Sequence, residues 1–314
     1  MRRLGALLRR ALQAVFVALL VGVLCFVLVR TLPGDMAFRI AASRYGYDLV
    51  DARAAEAVRA ELGLDQPMLA QLGAWLLALL RGDLGVSLVS GDRVADEIQH
   101  QLGATLVLAA AAMVPAATLG PAFGLLAGLR PGGVADRAGL LLASALRALP
   151  SFAVGVELML LLAPWLDWLP AGDDGTPAGL VLPALTLALG LAAASSRVAR
   201  DATVAAVNAT HFRFAQVKGL SPGQAVRRHV LRNAAVPVVA YLGLQFALLV
   251  EGVVVVEALF AWPGIGHALV HAVLARDVAM VQGAVLVLAL GFVALNALTD
   301  LATSLLDPRR RAPG

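Results

Sequence analysis

Hydrophobic and polar positions along this chain fall into long blocks, not into the short alternation of strands. Six apolar blocks run over about residues 11–29, 103–129, 138–162, 179–196, 234–259 and 280–305. Each is close to or above the roughly 20 residues that a helix needs to cross a bilayer. The first exceeds the roughly 7–15 apolar residues of a cleaved leader, so it predicts a retained spanning helix. The second carries Gly120, Gly124 and Gly128 on one helix face. Such a ladder lets a neighbouring helix approach closely, whether that helix belongs to this chain or to another. Pro150 predicts a kink in the third, because proline removes a helix hydrogen bond. A shorter run, Met68–Leu80 with Trp75, cannot span comfortably and predicts a helix at the interface. The expectation is an all-α polytopic membrane protein with six transmembrane helices.

Charge sets the sidedness. Arg2, Arg3, Arg9 and Arg10 precede the first block, Arg130 and Arg137 fall between the second and third, and Arg309, Arg310 and Arg311 follow the last. The segment Arg197–Asn233 holds seven basic residues against the single acid Asp201. Residues 30–101 hold ten acids and seven bases, and the turn after Leu162 carries Asp167, Asp173 and Asp174 beside Trp165 and Trp168. Loops rich in Lys and Arg stay inside, and tryptophans mark the water–lipid boundary. Both termini are therefore expected in the cytoplasm. The chain divides into an N-terminal spanning helix (1–30), an extracytoplasmic segment (31–101), the main transmembrane domain (102–305) and a cytoplasmic tail (306–314).

Composition agrees and narrows the chemistry. The 314 residues are 60% hydrophobic and only 15% charged, with a mean hydropathy of +0.82 and a pI near 10. The bases cluster at the ends of apolar blocks, which is a membrane pattern and not a nucleic-acid one. The lone Cys25 excludes an internal disulfide. Ser151, Ser195 and Ser196 have no histidine or paired carboxylate at a catalytic spacing, and no phosphate-cradling GxxxxGK[ST], GxGxxG or HExxH motif occurs. No catalytic residue, bound cofactor or metal ligand is expected. His267 and His271, four residues apart, lack a third ligand. Ionisable residues inside spans cost about 2.5–3.5 kcal/mol each near mid-helix and call for a partner or a role. Arg147, Glu157, Glu251, Glu257 and Asp300 are the cases here.

From about Arg81 to Arg311 the chain resembles the B-type permease subunits of dipeptide, oligopeptide and nickel ATP-binding-cassette (ABC) importers. The likeness rests on RGDLGVSL (81–88), ALPSF (148–152), VKGL (217–220), RHVLRN (228–233), FAWPGIG (260–266), ARD (275–277) and DPR (307–309). It implies a type I importer permease fold in a bacterial inner membrane. It also implies a coupling helix near 210–222 that docks on an ATP-binding subunit, carried by His211, Phe212, Arg213, Phe214, Ala215, Gln216, Val217, Lys218, Gly219 and Leu220. His211, Phe214, Gln216 and Val217 depart from that family's usual residues. Phe212 and Phe214 are apolar side chains in a polar loop, as a partner groove requires. The resemblance further implies a second homologous permease, two ATP-binding subunits that hydrolyse the ATP, and an extracytoplasmic substrate-binding protein. Glu257 and Asp300 match family positions and are expected to hold structure. Glu157 and Glu251 are candidates for the translocation path. The rival readings are an ATP-independent six-span transporter, an intramembrane enzyme and a non-transporting scaffold.

Overall fold

A computed structural model describes residues 2–31, 33–46 and 50–306, with side chains described at 10, 12–28, 30–31, 33–46, 50–246, 249 and 253–301. The tail motif from Asp307 to Arg311, the side chains of Arg2, Arg3, Arg9 and Glu251, and Leu32 lie outside the described residues. In chain order the helices are α1 (Arg2–Thr31), α2 (Met36–Tyr45), α3 (Ala52–Glu61), α4 (Met68–Leu80), α5 (Val94–Leu129), α6 (Val134–Ala148) and α7 (Ser151–Leu160). They continue as α8 (Val181–Asn208), α9 (Thr210–Val217), α10 (Pro222–Ala225), α11 (Leu231–Gly252), α12 (Val254–Leu259), α13 (Ile265–Ala275) and α14 (Val278–Leu306). Strand pairing among the described residues is limited to one isolated bridge, Val86 with Arg93.

All six apolar blocks are helical. Within the described residues, α5, Pro177–Asn208 and Val278–Leu301 are each long and apolar enough to cross a membrane alone. The third block departs from the expected kinked span. It is two helices, α6 and α7, bent by 100°. The residue before a proline is pushed out of the helical region, and Leu149 is accordingly extended, at φ −91° and ψ 137°. The fourth helix does not stop near Ser196 but continues to Asn208. At about 1.5 Å per residue, those twelve residues project it roughly 18 Å past its apolar run.

The chain forms two compact units, 1–105 with 263–293 and 106–262 with 294–314. In the first, α2 and α3 close on Ala37, Ile40, Ala41, Ala55 and Val58. Asp35 and Asp51 cap these helices by accepting hydrogen bonds from the Ala37 and Ala54 amides. A second core joins Val94 and Ile98 of α5 to Ile265 and Ala272 of α13 and Val281 and Ala284 of α14. The ARD word holds this unit together. Arg276, left-handed at φ 58°, donates from its guanidinium to the Pro33 carbonyl. Asp277 accepts from the Ser87 hydroxyl and, at 3.1 Å, from the Met280 amide. The expected interfacial helix α4 reaches α1, with Gln71 accepting from Arg30 and Trp75 covering Gly22.

In the second unit the glycine ladder finds its partner within this chain. A Cβ on Gly120 would meet Ser195 and Ala192, one on Gly124 would meet Ser196 and Ala199, and one on Gly128 would meet Arg200 and Thr203. The α5 ladder thus packs directly on α8, and the Ser195 hydroxyl donates to the Ala116 carbonyl at 2.7 Å. Gly243 of α11 likewise receives Thr299 of α14.

Candidate functional site

The polar stretch after α8 folds into a compact helical elbow. Ala209 is extended, at φ −72° and ψ 145°, which ends α8 and starts the eight-residue α9. Gly219 closes α9 with φ +92°, a conformation that residues with a Cβ rarely adopt. The Gly219 and Leu220 amides then donate to the Gln216 and Ala215 carbonyls. Ser221 opens α10 with a reciprocal capping box to Gln224, and Pro222 occupies the first helical turn. A π turn, Val226–Val230, leads into α11.

Helical spacing sorts the side chains of α9. Residues three or four apart share a face, whereas residues two apart point to nearly opposite sides. Phe212 is only 6% exposed and packs with Ala206, Ala225 and Val230, backed by Leu125 of α5 and by Leu220. Ala215, three residues on, is buried as well. Phe214 and Val217 face away, 57% and 83% exposed. The expectation that both phenylalanines are exposed is therefore corrected: Phe212 anchors the helix and Phe214 is presented. Lys218 Nζ lies 4.6 Å over the Phe214 ring, and His211, Arg213 and Gln216 complete the polar rim. Asn233 Nδ2 donates to the His229 carbonyl at 2.7 Å and lies 3.2 Å from His211 Nε2, which ties α9 to the start of α11.

An ion pair that the sequence did not reveal ties α8 to α6 ahead of this elbow. Arg200 of α8 donates from Nε and Nη2 to Asp136 Oδ1 and Oδ2, both at 2.9 Å, and the Gly132 amide adds a third bond at 2.8 Å. Asp136 is in the first turn of α6, outside the apolar run that starts at 138, and its side chain is 2% exposed. The Arg200 contact and the Gly132 amide hold its carboxyl at about 2. A depressed carboxylate stabilises the fold above its unfolded value, about pH 4, and that contribution is lost only as pH falls towards 2. The only signal in the sequence was an acid and a base, 64 positions apart, each at the polar end of a span. Asp136→Asn keeps an acceptor for Gly132 but no charge, and Asp136→Leu keeps neither. Unfolding temperatures in detergent should fall in the order wild type, Asn, Leu, and an unchanged Leu variant would exclude the tie.

The other candidates are dispersed. Glu257 is fully buried in α12, whose end is closed by the Trp262 amide donating to the Glu257 carbonyl. Glu157 is exposed on α7 and makes no ion pair with Arg147. Asp300 is exposed on α14, one residue after Thr299. The His267 and His271 rings lie with centroids 4.5 Å apart, tilted by 60°, and no three metal-ligating side chains cluster among the described residues.

The chain combines helices long and apolar enough to cross a membrane with a short amphipathic helix at a basic elbow. Residues 120–312 match the family of binding-protein-dependent transport system inner membrane components. Residues 3–109 match the N-terminal region of such membrane components. The chain is 38% identical to the glutathione transport system permease protein GsiC of Pectobacterium atrosepticum, over 98% of this chain and 99% of that protein. The GsiC proteins of Salmonella typhimurium and Escherichia coli K12 are 37% and 36% identical over the same shares. A solved structure of the MetNI methionine ABC transporter, in inward-facing conformations, shares the fold at a TM-score of 0.53 and 16% identity, covering 67% of this chain and 96% of that one. This chain belongs to the binding-protein-dependent transport system inner membrane component family. It is a permease subunit of an ABC importer, a multi-pass inner-membrane protein that works with ATP-binding subunits and a substrate-binding protein. It is not an enzyme and carries no cofactor, since the partner subunits use the ATP. That sets aside the ATP-independent transporter and the intramembrane enzyme.

Proposed function

We propose that this chain forms one half of the translocation path of an importer for peptides or a similar small solute, paired with a homologous permease and driven by two ATP-binding subunits. The observation that carries the driven half of this reading is α9. Phe212 and Ala215 root it in the helices behind it, and Phe214 and Val217 project from a basic rim. His211 to Leu220 then form the coupling segment, docking in a groove of an ATP-binding subunit. Closure of that subunit moves α9 and, through its packing with α8 and the run into α11, opens the path outward. Hydrolysis returns it inward. Both termini lie in the cytoplasm, 31–101 faces outward, 102–305 forms the transmembrane domain and 306–314 its tail. The glutathione named for the relatives supports a peptide-class solute. Glu257 stabilises the helix end before the outer hairpin and Asp300 supports contacts of α14. Glu157 and Glu251 are the acidic candidates for the polar path, where they would favour a solute with a free amine.

The test is co-purification from mild detergent. Wild-type chain should bring down ATP-binding subunits, and Gly219→Asp, which forces a side chain into φ +92°, should lose most of them while remaining folded. Retention of the ATP-binding subunits by a folded Gly219→Asp chain would exclude the coupling role.

A further inference from the structure

The first unit contains a cavity of about 290 Å³ walled by Phe26 and Arg30 of α1, Gln71 and Trp75 of α4, and Gln282 of α14. Two donors on its wall have no hydrogen-bond partner. Gln282 is 3% exposed, and its Nε2 is buried and unpaired. Arg30 Nη1 is also buried and unpaired, although Nη2 donates to Gln71 and the guanidinium lies 3.9 Å over the Phe26 ring. No carboxylate lines the cavity. Asp35, which lines an adjoining cavity with Arg30, is already taken by Arg59 at 2.7 Å and by the Ala37 amide.

A buried guanidinium nitrogen on the half-buried Arg30 and a buried amide, each short of an acceptor, are costly unless something fills the space beside them. What they lack is an oxyanion. The surroundings say what carries it. Arg30 is in the last turn of α1, the helix expected from the sequence to span first, and arginine and tryptophan at such an end sit at headgroup level. Beside it, α4 exposes Leu69, Leu77 and Leu80, an apolar surface suited to acyl chains. Met36, Leu62 and Leu64 complete a largely apolar wall.

We infer that this cavity binds the phosphate diester of a phospholipid. Arg30 Nη1 and Gln282 Nε2 donate to its oxygens, Phe26 and Trp75 flank the glycerol, and the acyl chains run over the α4 leucines. On the orientation proposed above the lipid belongs to the outer leaflet. Free inorganic phosphate offers the same oxygens without the acyl chains, so the test separates the two.

The intact importer complex is purified, stripped of lipid by detergent washing, and titrated with dioleoylphosphatidylglycerol or with inorganic phosphate. Native mass spectrometry counts the retained lipid, and thermal unfolding reads the stability. Wild type should retain one phospholipid that Arg30→Met and Gln282→Met lose. Its unfolding temperature should rise by about 5 °C with lipid and not with inorganic phosphate. Gln282→Met removes an unsatisfied group at nearly constant volume, so without lipid it should unfold no lower than wild type. Equal lipid counts in all three chains would overturn the inference. So would an equal shift from inorganic phosphate, or a Gln282→Met chain that is destabilised without lipid.

Discussion

Phe214→Asp is expected to abolish ATP-driven uptake in reconstituted vesicles while leaving the subunit folded and inserted. Phe214 is 57% exposed on α9, so the fold does not depend on burying it. A docked aromatic anchor typically accounts for about 2–4 kcal/mol of a partner interaction, which is about a 30- to 1000-fold loss of affinity for the ATP-binding subunit. On the docking proposed above, a carboxylate there also faces a groove suited to an apolar ring. The matched control is Phe212→Ala, two residues away on the opposite face and 6% exposed. Truncating a buried phenylalanine costs about 3–5 kcal/mol, so that variant should lower the unfolding temperature and uptake together. Uptake and stability measured on both variants decide the matter. If Phe214→Asp transports normally, or if it unfolds as readily as Phe212→Ala, the two faces of α9 do not have these roles.

The second large effect is expected at the α5–α8 seam. A Cβ on Gly124 would collide with the Ser196 carbonyl and come within 2.9 Å of the Ala199 Cβ and the Arg200 amide nitrogen. Backbone cannot swing aside as a flexible side chain does. Gly124→Ala should therefore cost about 1–3 kcal/mol, the usual range for overpacking, and Gly124→Leu should prevent α5 and α8 from closing. In lipid this matters more than in water, because apolar contact with lipid replaces apolar contact with protein, and close packing with a few interhelical hydrogen bonds such as Ser195 to Ala116 holds the helices together. Gly103→Ala, on the same helix with nothing within 4 Å of the added carbon, is the control and should be neutral or slightly stabilising. Folded yield in mild detergent and unfolding temperature read both outcomes. A stable Gly124→Leu chain would mean that the seam can open without loss.

The two faces of α9 mark how far the residues alone could be read. Phe212 and Phe214 both stood out as aromatics in a polar loop, and both looked available to a partner. Their spacing of two already forbids one face of a helix from holding both, but only the positions of Ala206, Leu125 and Val230 decide which one turns inward. The glycine ladder is a similar case. The spacing of Gly120, Gly124 and Gly128 required a close neighbour without naming it. Leu149-Pro150 signalled a local break, and its size, 100°, is visible only in the structure, where α6 and α7 both pack on α8.

The sequence by itself determined the class of fold, the six apolar blocks, the preference for basic residues on one side and the family words. These follow from composition and period, which act over a few helical turns and need no knowledge of what lies alongside. Tertiary structure alone decided the pairs that lie far apart in the chain. Asp136 meets Arg200 across 64 positions, Ser87 meets Asp277 across 190, and Arg276 meets Pro33 across 243. A charge or hydroxyl carries no record of its partner along the chain. The partner is chosen by which groups are left without water when the helices close, and burial makes those few contacts count.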